Sequence, residues 1–224
     1  MSAPSTSYTD IIASLRSAYD GSAAERDSNE KSEWKLVERS AFLERVQGER
    51  KSRLLELGAG TGHDSAYFQE HGLEVIATDI SPEMVARCRA KGLDARVMDF
   101  LNLTFPAESF DVGYAFNSLL HVPNSYLPAV LLAIQKVLAP DALLYLGMYG
   151  GEPFEGLRVN DWHNPPRFFS FRSDEELLRM VSPYFEVVDF HVVTNEGIHF
   201  QALTLRRPNN RFEPTRSEQR AAQT

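Results

Sequence analysis

The sequence lacks the features that direct a chain to an oxidising compartment or a membrane. Its 224 residues include one cysteine, Cys88, so no intramolecular disulfide can form. Residues 1–30 contain seven charged residues between Asp10 and Glu30 and have no apolar run of the kind that a signal peptide needs. The longest later apolar stretch, residues 130–138, is interrupted by Gln135 and Lys136 and is far shorter than the roughly 20 residues of a membrane-spanning helix. We expect a soluble cytoplasmic protein with no membrane partner.

A basic excess is also missing. Lysine and arginine total 23 against 31 acidic residues, which gives a net charge of −8 and a pI near 5.3. Nucleic-acid binding usually requires a basic face, so we expect no nucleic-acid partner. One cysteine and no histidines at ligand spacing make a zinc site improbable, and no carboxylate cluster indicates magnesium, so we expect no metal. The composition, 43% hydrophobic and 24% charged, is that of a globular protein.

The two ends of the chain differ from its middle. Residues 1–50 are predicted to form an amphipathic helical segment, with apolar residues at helical spacing from Ile11 to Tyr19 and again from Trp34 to Phe42. The polar stretch Asp20–Ser32 between them predicts a hinge or loop. Residues 207–224 contain one large apolar residue, Phe212, and are predicted to be a disordered tail.

Residues 51–206 show short apolar runs that alternate with helical patterns. This alternation predicts parallel strands joined by right-handed crossovers. Strands are predicted at Arg53–Leu57, Leu73–Thr78, Asp94–Met98, Ser109–Phe116 and Ala142–Gly147, with helices at 62–71, 82–91 and 128–138 between them. After a further helix at Ser173–Val181, the strands Phe185–Val193 and Gly197–Arg206 are joined by so short a turn that they must form an antiparallel hairpin.

The densest chemical signal is a glycine-rich turn between the first strand and the helix after it. Glu56 and Leu57 lead into Gly58-Ala59-Gly60-Thr61-Gly62. Glycines allow a sharp turn and a close approach of backbone to ligand, and the helix that follows directs its N–H groups at the same place. Asp79 stands 21 residues after Gly58, at the end of the next strand, where a carboxylate can accept hydrogen bonds from both hydroxyls of a ribose. Together these features indicate a nucleoside-containing ligand.

Two kinds of nucleoside ligand compete for this site. A dinucleotide site has its third glycine five residues after the first, and His63 occupies that position. An NAD-dependent oxidoreductase is therefore disfavoured. An acid at position 56 is poorly placed beside a pyrophosphate but suits a ligand that carries an ammonium group.

With this glycine motif, the sequence resembles the class I S-adenosylmethionine-dependent methyltransferases that act on small molecules. The resemblance continues through Thr78–Met84, Met98–Phe100 and Phe110–His121, in order along the strand ends. It implies an α/β fold of the Rossmann-like type: a seven-stranded, mostly parallel sheet with an antiparallel C-terminal hairpin and helices on both faces. Residues 1–50 would fold over the cofactor as a lid. The turn Pro140-Asp141-Ala142 departs from the usual Pro-Gly-Gly, but Asp tolerates left-handed geometry.

The resemblance also implies which residues hold S-adenosylmethionine. The loop and its acid would bind the methionine part, Asp79 the ribose and Asp99 the adenine amino group, while Ile80 and Met84 would flank the adenine. Met84 and Phe100 could equally be core residues. The cofactor-binding residues that we predict are Tyr19, Glu56, Gly58, Ala59, Gly60, Gly62, Asp79, Ile80, Met84, Asp99, Phe100 and Asn117. His63 is structural or adjacent to the cofactor, and Asp111 is expected to satisfy backbone or helix-end donors.

His121 is the best candidate for a general base. It follows the fourth strand, and imidazole titrates in the useful range. The alternative is a histidine that is hydrogen-bonded to the backbone beside Pro123. For the acceptor we predict contacts from Trp34 and Tyr149, and from Trp162 and Arg167 in a substrate-side insertion at 150–172. The phenylalanines at 168, 169 and 171 in this insertion are expected to pack on the sheet edge instead.

These features predict a methyltransferase that moves a methyl group from S-adenosylmethionine to O or N of a small molecule by in-line displacement. The alternative is a non-catalytic S-adenosylmethionine-binding protein, because no single side chain is chemically obligatory for methyl transfer. RNA as the substrate lacks the basic footprint that it would need.

Overall fold

The computed structural model describes residues 7–158, 160–195 and 197–209. The chain begins with two helices, α1 (Tyr8–Ser28) and α2 (Glu33–Gly48). The hydroxyl of Ser7 caps α1 by accepting a hydrogen bond from the Asp10 N–H. The predicted helical character of this region agrees with the structure, but the predicted break at Asp20–Ser32 is wrong for most of its length. The α1 helix continues to Ser28 because its polar residues contact the rest of the protein, as described below.

The middle of the chain alternates strands and helices as predicted. Five parallel strands carry the cavity described below: β1 (Arg53–Leu57), β2 (Glu74–Asp79), β3 (Asp94–Val97), β4 (Phe110–Phe116) and β5 (Leu138–Tyr149). The helices between them are α3 (His63–Glu70), α4 (Pro82–Ala90) and α5 (Leu127–Val137), and a short 3₁₀ turn spans Leu119–His121. Asp141 lies near the start of β5 with φ of 65°, the left-handed geometry expected for that turn.

The strands form a seven-stranded sheet in the order β3-β2-β1-β4-β5-β9-β8. The last two strands, β8 (Glu186–Asn195) and β9 (Ile198–Arg206), follow α6 (Asp174–Val181) and pair antiparallel with each other, and β9 is antiparallel to β5. The solved structure described below has the same type of fold, so the predicted fold class is confirmed.

Burial on both faces explains why the central strands are apolar at consecutive positions. Leu144 and Leu146 of β5 pack into a core with α5 and α6, whereas Leu143 and Tyr145 pack with α2 and α3 on the opposite face. Side chains alternate between the two faces of a strand, so each face needs its own apolar set.

The insertion at 150–172 contains more regular structure than predicted. Strands β6 (Phe154–Leu157) and β7 (Phe168–Phe171) pair antiparallel as a separate two-stranded sheet. Phe168 packs against Ile11 and Leu15 of α1, and Phe169 joins the core beside α5. The insertion therefore fixes the position of α1 as well as its own aromatic residues.

The predicted start of the disordered tail, at residue 207, is too early in the sequence. Arg207 is buried, donates a hydrogen bond to the Leu138 carbonyl and pairs with Glu108 at 3.2 Å. Its backbone N–H also donates to the Ala142 carbonyl at 2.9 Å. These bonds extend the order of β9 by one residue, while residues 210–224 of the predicted tail lie outside the described residues. No described helix is long and apolar enough to cross a membrane.

Candidate functional site

The glycine turn follows β1 and starts with a residue for which no side chain has room. Gly58 has φ of 78°, and a Cβ there would overlap the Cβ of Ser118. The N–H groups of Gly58 and Ala59 donate to the Thr78 carbonyl of the neighbouring strand at 2.8 and 2.9 Å. The start of the turn is thus fixed from both sides by β2 and by the segment after β4.

The other two glycines of the turn have different roles. A Cβ on Gly60 would meet no atom within 4 Å, whereas one on Gly62 would lie 2.7 Å from Leu93 and 2.8 Å from the Cys88 sulfur. Gly60 lines an open cavity, so its lack of a side chain leaves room for a ligand. Gly62 is the N-cap of α3, and its lack of a side chain allows the start of this helix to pack closely on Cys88 of α4. The structure therefore assigns Gly62 to packing and does not place it at the cavity, contrary to its predicted role.

Asp79 lies at the end of β2 and is hydrogen-bonded to the glycine turn. Its Oδ2 accepts from the Gly60 N–H at 2.8 Å, and its Oδ1 accepts from the Ser81 N–H at 2.9 Å. Burial raises the pKa of this carboxyl, and the two backbone donors oppose that rise. The turn after β1 and the turn after β2 are thus held together by one side chain that also lines the cavity.

Glu56 is the second carboxylate at the cavity and is 3% exposed. Burial raises its pKa to about 8, and the neighbouring charge of Asp64 adds to this rise. The Ser65 hydroxyl donates to one Glu56 oxygen. Asp64 is held by Lys31 and by Arg39, whose guanidinium lies 3.0 Å away. A cation that approaches Glu56 would favour its ionised form.

These groups surround a cavity of about 470 Å³, within the size range of small-molecule sites. The predicted site residues that line it are Tyr19, Glu56, Gly58, Ala59, Gly60, Asp79, Ile80, Phe100, Asn117 and His121. Phe100 thus lies at the cavity, although it is also largely buried. The residues come from α1 and from the carboxyl ends of β1, β2 and β4, with Phe100 from the segment after β3.

Two residues predicted to contact the adenine lie elsewhere. Met84 has no exposed surface, because it points from α4 into the protein interior. Asp99 uses its carboxylate in its own turn, where it accepts from the Leu101 N–H at 2.8 Å and from the Asn102 amide at 2.7 Å. Neither is among the residues that line the cavity.

The four residues predicted to contact the acceptor also lie outside the cavity lining. Trp34 and Tyr149 pack edge-on against Phe200 over the sheet. Trp162 is 61% exposed. The Arg167 guanidinium is held by both carboxylate oxygens of Asp161, each at 2.8 Å, so its charge is already paired. The structure therefore does not place any of these four residues in contact with the cavity.

His121 lies at the cavity with a partner on each ring nitrogen. Nδ1 is 2.6 Å from the Phe168 carbonyl oxygen, and Nε2 is 2.5 Å from the Tyr19 hydroxyl. Burial lowers the pKa of His121 to about 3, so the imidazole is neutral near pH 7. This arrangement agrees with the alternative of a hydrogen-bonded histidine and makes His121 a poor general base. Asp111, as expected, satisfies backbone donors by accepting from the N–H groups of Ser52 and Arg53.

Sequence reasoning missed the contribution of the segment that joins α1 to α2. Asn29, Glu30 and Lys31 of this segment line the cavity, together with Arg26 near the end of α1 and Lys35 near the start of α2. Asp27, beside them, pairs with Lys91 and Arg87 of α4. The only available signal was the density of charge between two apolar helical patterns, which we took as a sign of a loop.

The residues present fit S-adenosylmethionine. Gly60 leaves open space, Asp79 can accept from a ribose, and Glu56 can face an ammonium group. Asn117 Oδ1 and Ser118 Oγ are buried at the cavity without a hydrogen-bond partner, so a ligand there would satisfy groups that are otherwise costly to bury. Among the described residues, no group of three or more His, Cys, Asp or Glu could hold a metal ion.

Comparison with known proteins gives the same picture. Residues 54–141 match a family described as a methyltransferase domain. The 1,6-didemethyltoxoflavin-N1-methyltransferase of Burkholderia thailandensis, solved with S-adenosylhomocysteine, has a TM-score of 0.75 and 25% identity, and the alignment covers 93% of each chain. The predicted resemblance to S-adenosylmethionine-dependent methyltransferases and the predicted cofactor are confirmed.

Curated relatives match over a shorter span. The malonyl-[acyl-carrier protein] O-methyltransferase of Halorhodospira halophila is 29% identical over 64% of this chain and 50% of its own length. A phosphoethanolamine N-methyltransferase of Zea mays is 24% identical over 50% of this chain and 23% of its own length. The chain thus spans half or less of the length of these curated relatives.

Proposed function

Starting from the similarity to class I S-adenosylmethionine-dependent methyltransferases, we propose that this chain transfers a methyl group from S-adenosylmethionine to O or N of a small molecule. The observation that carries the proposal is the hydrogen bond that the Gly60 N–H donates to the Asp79 carboxylate. One carboxylate fixes the turn after β1 to the turn after β2, at a cavity that Gly60 leaves open. Such a site suits a nucleoside with an amino-acid tail.

The cofactor would lie across the ends of β2, β1 and β4. Asp79 would accept from the ribose hydroxyls, Ile80 and Phe100 would flank the base, and Glu56 would face the ammonium group. Asn117, which has φ of 55°, brings its side chain to the same cavity after β4. The bound cofactor supplies an electrophilic methyl group.

The α1 and α2 helices within residues 1–50 would act as the lid, residues 51–206 as the methyltransferase domain, and 150–172 as the substrate-side insertion. Polar contacts hold α1 on α4 and on the residues that flank it: Asp20 accepts from the Ser81 hydroxyl, Asp27 pairs with Arg87 and Lys91, and Arg16 donates to the Ile80 carbonyl at 3.0 Å. A lid held this way excludes water from the reacting groups.

The protein's part in the reaction is to position the reactants. Alignment of a nucleophile with the methyl carbon can lower a barrier by about 7–11 kcal/mol in favourable cases. His121, neutral and bonded at both nitrogens, orients Tyr19 and does not remove a proton. An acceptor that reacts here would therefore be an adequate nucleophile without a strong base.

The acceptor class is proposed from the site and the relatives together. A cavity of about 470 Å³ under a lid suits a small molecule better than a polymer. The similar proteins include an O-methyltransferase and N-methyltransferases, so both acceptor atoms remain part of the proposal.

Calorimetry with S-adenosylmethionine and S-adenosylhomocysteine tests the cofactor site, and we expect saturable binding of both. Incubation with methyl-labelled cofactor and a panel of small N–H and O–H compounds, with 1,6-didemethyltoxoflavin among them, tests transfer. Failure to bind either nucleoside at millimolar ligand would overturn the proposal. Tight binding with no S-adenosylhomocysteine formed from any acceptor would favour the non-catalytic alternative.

A further inference from the structure

One hydroxyl group connects three parts of the molecule that lie outside the glycine turn. Tyr19 comes from α1, His121 from the turn after β4 and Phe168 from β7. The Tyr19 Oη lies 2.5 Å from His121 Nε2, and His121 Nδ1 lies 2.6 Å from the Phe168 carbonyl oxygen. Both Tyr19 and His121 line the cavity.

The carbonyl of Phe168 fixes the direction of these hydrogen bonds. A carbonyl oxygen can only accept, so His121 carries its proton on Nδ1. The ring is neutral, since its burial disfavours the imidazolium, and Nε2 therefore has a lone pair. The Tyr19 hydroxyl must donate its one proton to that lone pair. Toward any other group, the oxygen of Tyr19 can only accept.

Arg167 donates one of the hydrogen bonds that the Tyr19 oxygen can accept. Its Nη1 lies 3.4 Å from Tyr19 Oη and donates to it. The guanidinium cannot turn toward a ligand, because Asp161 holds it through two bonds of 2.8 Å. A phenolic oxygen has two lone pairs, and one of them is left for a group in the cavity.

The position of this hydroxyl separates it from the proposed cofactor contacts. The sheet order places the end of β2, with Asp79, on one side of β1, and the end of β4, which leads to His121, on the other. Tyr19 is bonded on the β4 side, beside the insertion strand β7. We predicted from the sequence that Tyr19 binds the cofactor. Its ring packs in one cluster with Ile80, whereas its hydroxyl is bonded to His121 and Arg167.

We propose that Tyr19 binds the methyl acceptor, and that its hydroxyl accepts a hydrogen bond from an N–H or O–H group of that acceptor. The inference rests on the proposed function and narrows its substrate to small molecules that donate a hydrogen bond at the reacting end. His121 and Arg167 are positioning residues, which fix the direction in which Tyr19 bonds.

The proposal has a consequence for the product. An acceptor with a single N–H or O–H group loses that donor on methylation: its lone pair attacks the methyl carbon as the carbon–sulfur bond breaks, and its proton passes to water as the product leaves. Such a product has no hydrogen to donate to Tyr19. The second lone pair of the Tyr19 oxygen then has no donor, so the methylated compound binds less tightly than its precursor. The site discriminates between the two by one hydrogen bond.

Matched ligand pairs test this directly. Protein saturated with S-adenosylhomocysteine is titrated with phenol and anisole, and with indazole and 1-methylindazole, by ligand-observed NMR. We expect the donor of each pair to bind roughly three- to tenfold more tightly, as one hydrogen bond predicts. Tyr19→Phe should abolish this preference, while Tyr126→Phe, which alters a tyrosine outside the cavity lining, should keep it. No preference in the unmodified protein, or its persistence in Tyr19→Phe, overturns the proposal.

Two further measurements separate the possible failures. S-adenosylhomocysteine should bind Tyr19→Phe within about threefold of its affinity for the unmodified protein, and a loss of tenfold or more would return Tyr19 to the cofactor. If the unmodified protein does not bind S-adenosylhomocysteine, the proposed function fails as a whole. Nitrogen-15 shifts of His121 should show a proton on Nδ1 alone, and a proton on Nε2 would overturn the direction of bonding.

Discussion

The two ends of the cavity are built in different ways. At the cofactor end, Asp79 bonds to the backbone of Gly60, 19 residues away in sequence, and both belong to one continuous βαβ segment. At the acceptor end, Tyr19 meets His121 across 102 residues and Arg167 across 148. The first end uses backbone groups that any chain with the same spacing presents, whereas the second uses side chains whose meeting depends on the whole fold.

The two ends also treat charge differently. The cofactor end holds two carboxylates, Glu56 and Asp79, whose pKa values are raised by burial. The acceptor end presents a neutral hydroxyl and a neutral imidazole, with the charge of Arg167 paired behind them. A cation is therefore favoured at one end and an uncharged donor at the other. Four substitutions or titrations at the cofactor end and in the lid test this contrast.

Gly60→Val should have the largest effect, a loss of cofactor affinity of at least 100-fold, or about 2.7 kcal/mol. A Cβ at Gly60 would meet no atom within 4 Å, so the added side chain would extend into the space that the cofactor needs. Calorimetry with S-adenosylmethionine measures the change. Gly92→Val is the matched control, because Gly92 also has positive φ and open surroundings but is not among the cavity-lining residues. Equal affinity loss in both variants would mean that backbone strain, not the cavity, is responsible.

Asp79→Ala should weaken S-adenosylmethionine binding about tenfold or more, equivalent to about 1.4 kcal/mol. The change removes both the proposed ribose acceptor and the bond that holds the Gly60 N–H. Asp111→Ala serves as the control, since that carboxylate caps two backbone N–H groups outside the cavity lining. It should lower the melting temperature and leave the affinity unchanged. Normal affinity in Asp79→Ala would refute the ribose assignment.

The contribution of Glu56 to cofactor affinity should increase as pH rises from 7 toward 8. In the free protein this carboxyl has its pKa raised to about 8, so it is largely protonated at pH 7. A bound ammonium group favours the ionised form, and binding therefore releases a proton that is already lost at higher pH. The pKa of Glu56 is higher in the folded protein than in the unfolded chain. Glu56 therefore lowers the stability of the free protein as pH rises from the unfolded-state pKa toward 8. Glu56→Gln should remove its contribution to both trends, and an identical pH dependence in that variant would exclude Glu56.

Asp27→Asn should have the smallest effect, a roughly twofold loss of cofactor affinity at low salt. Asp27 holds α1 to α4 through Lys91 and Arg87, but all three side chains are partly exposed, and such pairs contribute about 0–1 kcal/mol. The difference from the unmodified protein should disappear as salt is added. Asp94→Asn breaks a comparable pair with Arg96 away from the lid and should leave affinity unchanged. A tenfold loss in Asp27→Asn would mean that the ion pairs, not apolar packing, hold the lid.

Sequence patterns predicted the sheet and most of the cofactor end. Strand and helix positions followed from apolar periodicity, and Gly58, Gly60 and Asp79 lie at the cavity because the carboxyl ends of neighbouring parallel strands share one edge. The predictions failed where a suitable residue type was present but its side chain points away from the cavity. Met84 points into the interior, and Asp99 caps its own turn. Periodicity does not say which of two neighbours a side chain will contact.

The acceptor end was predicted less well for the same reason. Trp34, Tyr149, Trp162 and Arg167 have the composition of a binding pocket, yet each contacts protein instead of lining the cavity. The polar stretch Asp20–Ser32 was predicted to be a hinge or loop, although α1 continues to Ser28, Ser22 and Ala23 are buried, and Asp27 pairs with Arg87 of α4. Charged residues usually face solvent, and only the packed fold shows where their partners stand.

The sequence by itself determined the alternation of strands and helices, the glycine turn and the acid one strand later, since these depend on neighbours within a few dozen residues. Tertiary structure alone decided that the Phe168 carbonyl fixes the proton of His121, and that His121 in turn fixes the hydroxyl of Tyr19. The physical reason is that a hydrogen bond acquires its direction from both of its partners, and these partners meet only when α1, the turn after β4 and β7 have packed together.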